Sequence, residues 1–175
     1  MISRMVNLVA ESGNYWVANN FIWGWLLIPI SALSEIIKSD YKEEKNTNCS
    51  NYLMIVAFSI ITWIITIPLW KPFLRYVERI DNYQDIFSIS TKLWPFYIAY
   101  SLCTIPDSIF IGKGKTQYNA INSILVNFVY YGIWFILYIT KPIQFNMLTI
   151  IMMFGFGMVF HLIISVVELK TFDNQ

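Results

Sequence analysis

The sequence predicts an all-α fold, a polytopic membrane helical bundle of about five transmembrane helices, and three observations carry that prediction. Charged residues make up only 13% of the 175 residues while 57% are hydrophobic. A soluble domain of this size needs about a quarter charged residues to cover its surface. The mean hydropathy of +0.52 agrees. The second observation is run length: five stretches approach the roughly 20 apolar residues that cross about 30 Å of hydrocarbon. The third is pattern. The runs are continuous rather than alternating, which favours helices over the strands of a membrane barrel.

In chain order, the spans are predicted at about 15–37, 50–70, 93–111, 119–140 and 145–168, within one membrane domain covering 1–175. The first is uncharged from Ser12 to Ser34, and Pro29 predicts a kink in it, with Gly24 easing a close helix contact. The second centres on LMIVAFSIITWIIT, and Asn46 to Trp70 carries no charge. The third, Leu93 to Ile111, is interrupted by one acid, Asp107. The fourth contains SILVNFVYYGIWFILY, and the fifth, within Pro142 to Val167, contains MLTIIMMFGFGMVFHLII. Gly155 and Gly157 do not form a small-xxx-small motif and are assigned to close packing or bending. Trp16, Trp23, Trp25, Trp70 and Trp94 gather near span ends, as in an interfacial aromatic belt.

The connectors are polar. Lys71 to Lys92 places Phe73, Leu74, Val77 and Ile80 at helical spacing among charges, which fits either a short amphipathic surface helix or an ordinary linker. Lys and Arg divide six against six between alternate sides, so the positive-inside rule does not orient the chain. A formal net charge of +1 gives no basic excess for nucleic acid. Residues Met1 to Gly13 lack the continuous apolar stretch of a cleavable signal peptide. Cys49 and Cys103 cannot form a metal site by themselves, and their settings argue against a disulfide.

Ionisable groups inside a span are costly, roughly 2.5–3.5 kcal/mol at mid-bilayer, and so are functional candidates. Asp107 leads them. It follows Pro106, which removes a backbone hydrogen bond and could open the helix beside the carboxylate. Such an acid suits a cation- or proton-coupled transporter; the alternative places it near the Lys113 and Lys115 interface, paired or solvated. Glu35 is expected at the interface with Lys38 as partner. His161, the single histidine, is either hydrogen-bonded packing or a proton relay. Asn19, Asn20 and Asn127 either line a polar cavity or bond helices together. No nucleophile–base set, phosphate-binding loop or metal-ligand spacing is present, so no enzyme, catalytic residue, metal site or cofactor is expected.

Two stretches carry a resemblance. GNYWVANNFIWGWLLIPISALSEIIKSD (Gly13 to Asp40) resembles a late helix and its exit in bacterial multidrug and toxic-compound extrusion (MATE-like) transporters. TIPDSIFIGKGKTQYNAINSILVNFVYYGIWFILY (Thr104 to Tyr138) is similar to another part of that family, where a helix ends in a Gly-x-Gly-x-Thr turn, here Gly112, Gly114 and Thr116. The resemblance spans about residues 1–170 and the order of segments fits. It implies the last five of twelve helices, most of a C-terminal lobe, with the N-terminal lobe and one helix missing. Met1 to Gly13 would then approach the eighth helix from outside, with Lys38 to Asn51, Lys113 to Lys115 and the C-terminus in the cytoplasm.

The implied function is cation-coupled efflux by alternating access in the cytoplasmic membrane, antiporting cationic compounds against sodium or protons. The implied partners are the lipid bilayer, the missing lobe or another transporter chain, and cationic small molecules. Asn20, Trp23, Asp107 and Tyr131 are the residues expected to line the substrate cavity, with Trp23 and Tyr131 able to stack on a cation. The competing expectations are a non-transporting membrane interaction or accessory protein and an inactive transporter fragment. A membrane-embedded enzyme is disfavoured for want of a clustered His, Asp or Glu set at one depth.

Overall fold

The computed structural model describes residues 8–45, 48–140 and 146–173, and every element in them is helical. Arg4, Lys141, Pro142 and the start of the fifth predicted span lie outside the described residues. The helices are α1 (Leu8–Phe21), α2 (Ile28–Lys42), α3 (Cys49–Tyr76), α4 (Tyr83–Gly112), α5 (Thr116–Ile124), α6 (Tyr131–Thr140) and α7 (Met147–Asp173). Short π-helical stretches, Ile22–Leu26 and Leu125–Tyr130, join α1 to α2 and α5 to α6.

Among the described residues, three helical segments are long and apolar enough to cross a membrane: Cys49–Tyr76, Thr116–Thr140 and Met147–Phe172. A fourth is added if the pair Ser12–Leu26 and Ile28–Lys42, bent by 54°, counts as one broken span. Their outer faces carry large apolar side chains such as Phe58, Ile65 and Phe128, exposed by 70% or more. Such a surface suits lipid and not water.

Pro29 stands in the first turn of α2, where its missing N–H costs nothing, so the predicted kink falls just before it. The break leaves backbone carbonyls without their usual i+4 donors. One of them, Leu26 O, accepts a hydrogen bond of 3.0 Å from the buried Trp63 indole of α3. The bend is therefore capped from a neighbouring helix. We expect Trp63→Phe to leave that carbonyl unsatisfied and cost about 1–3 kcal/mol, read as a lower unfolding midpoint in detergent. An unchanged midpoint would show that the bend needs no cap. Gly24 does not ease a helix contact, because a Cβ built on it would meet nothing within 4 Å.

The segment Lys71 to Lys92 is neither a surface helix nor a linker throughout. α3 continues to Tyr76 and α4 begins at Tyr83, leaving a turn in which Arg79 has φ +54°. Leu74, Ile86 and Ile89 are buried, so these ends join the core although their outer faces are charged. Trp25 donates a 2.8 Å hydrogen bond to Glu78 and ties this turn to the bend of the first span.

α4 is the hub. It packs against α1, α2, α3, α5 and α7, and buries thirteen of its residues, among them Tyr97, Ser101, Cys103 and Phe110. Pro95 and Pro106 lie inside it, and the helix runs through both without a break. Gly112 sits against α2 so closely that a Cβ would be 2.8 Å from the Lys38 carbonyl oxygen. Gly114 takes φ +68° and reverses the chain into α5, as the Gly-x-Gly spacing predicts.

Charged clasps sit outside the apolar stretches. Lys38 pairs with the exposed Glu35 at 2.7 Å, as expected from the sequence. Past the end of α2, Lys45 holds Glu43 at 3.0 Å, and its ammonium, helped by the Ser39 hydroxyl, lowers the Glu43 carboxyl below its ordinary range. A carboxyl lowered in the folded state contributes stability above its unfolded value, and that contribution is lost as pH falls through the folded one. The pair is exposed, so the effect is small and screened by salt. In an NMR titration, Glu43 should have a depressed midpoint that returns to the ordinary value in Lys45→Gln; equal midpoints would remove the clasp.

A polar cluster between α4, α5 and α7

Among the described residues, the apolar bundle has an internal cluster rich in acid, histidine and thiol, built from helical spacing. Cys103 and Asp107 are four residues apart and share one face of α4. His161, Ser165 and Glu168 follow at steps of four and three along α7. Asn119 and Asn122 are three apart on α5. The turn through Gly112 and Gly114 folds α5 back, and α7 packs along α4, so the three stripes meet.

Asp107 is the centre. Its Oδ1 accepts a 2.8 Å hydrogen bond from the Ser165 hydroxyl, and its Oδ2 lies 3.1 Å from His161 Nε2. Asn119 donates to the Asp107 backbone carbonyl at 3.0 Å. Asn122, fully buried, donates from Nδ2 to the Ser165 oxygen at 2.6 Å. The Ser165 hydrogen is thereby committed to the carboxylate, and Asn122 fixes the serine that orients Asp107. Cys103 is buried beside them and donates its S–H to the Tyr100 carbonyl at 3.2 Å. Ligand atoms of Cys103, Asp107 and His161 all lie within 4.8 Å of one another.

The cluster is not saturated. Asn122 Oδ1, Asn119 Oδ1 and Glu168 Oε2 are buried without a hydrogen-bond partner. Buried polar atoms are nearly always satisfied, so three orphaned acceptors around one carboxylate call for an explanation. Glu168 lies two turns after His161 on the same face of α7. Acceptors and anions gather here, and a positive ligand would satisfy them.

One expectation gains its partners and another is corrected. Asp107 does not pair with Lys113 or Lys115; its partners are His161 and Ser165, and the Lys113 ammonium instead lies 4.5 Å from the Phe172 ring centre and 5.3 Å from that of Tyr41. A clustered Cys, Asp and His set does exist, although no local spacing announced it. The other three residues expected at a cavity have separate surroundings. Asn20 lines a cleft of about 370 Å³ with Trp25, Leu74 and Glu78. Trp23 donates to the Tyr97 hydroxyl at 3.0 Å and its ring meets Tyr100 at 5.0 Å, while Tyr97 in turn donates to Asn19. Tyr131 packs on Phe154 and its hydroxyl abuts Gly157, where an added Cβ would sit 2.6 Å away.

No hydrogen bond, ion pair or ring contact among the described residues joins any two of Asn20, Trp23, Asp107 and Tyr131. Tyr15 and Tyr131 both pack on the Phe154 ring, at 5.8 and 5.9 Å. Asn19 belongs with Trp23 and Tyr97, whereas the exposed Asn127 bonds only to the Ser123 carbonyl of its own helix.

Sequence reasoning missed Cys103, Ser165, Glu168, Asn119 and Asn122. The signal for α7 was present: His161, Ser165 and Glu168 make a polar stripe on one face of an otherwise apolar helix. Comparison with protein-family models, curated proteins and solved structures finds no match for this chain.

Proposed function

We propose that the chain is a cation-coupled membrane transport unit of the MATE-like type, the larger part of one lobe, that moves cationic compounds against sodium or protons. The single observation that carries this reading is Asp107, held by His161, Ser165 and Asn119 among helices able to cross a membrane. A carboxylate kept inside such a bundle is expensive, and its recurrent use is to hold or pass a cation. In this reading α4 supplies the third span, 93–111, and brings the total to five. Its 30 residues reach about 45 Å at 1.5 Å per residue. Its neighbours shield it, so it can carry Ser, Thr, Tyr and Asp that an outward-facing span could not.

Trp23, exposed and set edge-on against Tyr97 and Tyr100, offers a ring face to an organic cation. Tyr100 stands seven residues, about two turns, before Asp107, on the same side of α4. The cytoplasmic membrane is the proposed location, with the remaining helices of the transporter as partner and no catalytic chemistry.

The test is efflux of a cationic dye from energised vesicles containing the chain in its complete transporter. Asp107→Asn keeps the size and removes the charge. We expect at least about a tenfold loss of coupled efflux, equivalent to about 1.4 kcal/mol, with normal membrane insertion. Unchanged efflux and unchanged ion dependence would end the reading.

A further inference from the structure

We infer that Cys103, Asp107 and His161 form a binding site for a divalent transition metal ion of the zinc class. This goes beyond the transport reading and needs no transport to hold, although it uses the same cluster.

Donor chemistry separates this ion from the others that could satisfy the cluster. Sodium, magnesium and calcium prefer oxygen ligands, whereas a thiol and an imidazole beside one carboxylate favour zinc and its neighbours. The backbone supplies the spacing: two donors from successive turns of α4 and one from the facing helix α7 converge from two directions. Zinc bonds run about 2.0–2.3 Å, which places tetrahedral ligand atoms roughly 3.5 Å apart. Atoms already within 4.8 Å need to close by only about an ångström.

Charge gives the second argument. Binding removes the Cys103 thiol proton to solvent, and His161 binds as neutral imidazole with its proton on the other ring nitrogen. One thiolate and one carboxylate then balance a divalent ion, so the three ligands and the ion together carry no net charge. A monovalent cation held by Asp107 alone would leave the thiol and imidazole unused.

The surrounding groups fit the same role. Asn122 holds Ser165 and Ser165 holds Asp107, the outer layer that orients a ligating carboxylate. Asn122 is fully buried with Oδ1 unpartnered, and Glu168 carries an unpartnered carboxylate oxygen. A metal-bound water at the fourth position would give these acceptors a donor. Three protein ligands leave the fourth tetrahedral position open.

The experiment uses the full chain with Cys49→Ser, purified in mild detergent, and titrates it with cobalt(II) and zinc(II). We expect one cobalt per chain with a thiolate-to-cobalt charge-transfer band, displaced by zinc and insensitive to sodium. Zinc should protect Cys103 from alkylation at least tenfold. His161→Gln should remove that protection, and Ser165→Ala should weaken cobalt binding about 10–100-fold while keeping the band. Protection is read on the unaltered ligand set, so a misfolded variant does not decide the outcome. Cobalt binding without a thiolate band, or equal alkylation with and without zinc, overturns the inference. Protection by sodium in place of zinc also overturns it, while leaving the transport reading standing.

Discussion

Gly155→Ala is expected to destabilise the bundle by about 1–3 kcal/mol, a large effect for one methyl group. Gly155 of α7 is buried directly beneath Phe96 of α4. A Cβ at that position would lie 2.3–2.5 Å from three atoms of the Phe96 ring, including Cγ. Cγ is one bond from the Phe96 Cβ, so the ring cannot swing clear without a new χ1 or a shift of the helix. The ring is also engaged edge-on with Phe156 at 5.7 Å, which removes the easier escape. Close approach at small residues is how helices associate in lipid, where burial of apolar surface supplies little drive between them. Separating α7 from α4 would also pull His161 from Asp107. The measurement is thermal unfolding in detergent, with Phe96→Ala as the compensating change. The double variant should lie closer to Phe96→Ala than the sum of the single losses predicts. Additive losses would mean that the two residues do not oppose each other.

That contact shows what was legible in the sequence and what was not. Gly155 and Gly157 could be assigned to close packing from their setting, but which ring each meets depends on helix register. The helical class follows from run length, although three or four helices, and not the expected five, are long and apolar enough to cross a membrane among the described residues; Pro29 locates the bend. The start of α4 was harder. Tyr83 to Lys92 carries polar groups and falls below any hydropathy threshold, yet Ile86, Ile89, Leu93 and Tyr97 are buried at helical spacing and mark one continuous face. The π-helical stretches leave no comparable mark, because one extra residue in a turn changes register and not composition.

The cluster divides the same way. Asp107 and His161 stand out singly as ionisable groups in apolar runs, and the cost of placing them there is a property of the residue. Their meeting is a property of packing. It joins positions more than fifty residues apart and requires the Gly114 turn, the α5 reversal and the α4–α7 contact together. Cys103 is invisible for another reason: a buried thiol in an apolar run is ordinary packing until a carboxylate and an imidazole arrive beside it.

His161→Leu is expected to cost about 2–3 kcal/mol, and the loss should largely vanish when Asp107 is already asparagine. Removing the imidazole leaves a partly buried carboxylate one hydrogen bond short, which costs about 1.5–3 kcal/mol, and more when burial is complete. Here the side chains keep 23% and 30% of their exposure, so the smaller figure applies. Ser165 still donates to Oδ1 in the variant, which softens the loss, but Oδ2 is left without a partner among apolar helices. With asparagine at position 107 there is no charge to strand. A double-variant cycle on Asp107→Asn and His161→Leu, followed by unfolding in detergent without added metal, should give a coupling of about 1–2 kcal/mol. Independent losses would mean that the histidine only fills space. A coupling that appears in metal-free buffer also separates the polar pairing of Asp107 and His161 from ligation, because zinc adds its stabilisation only where Cys103 remains a thiol. Cys103→Ser should therefore leave the metal-free coupling in place and remove the increment that zinc supplies.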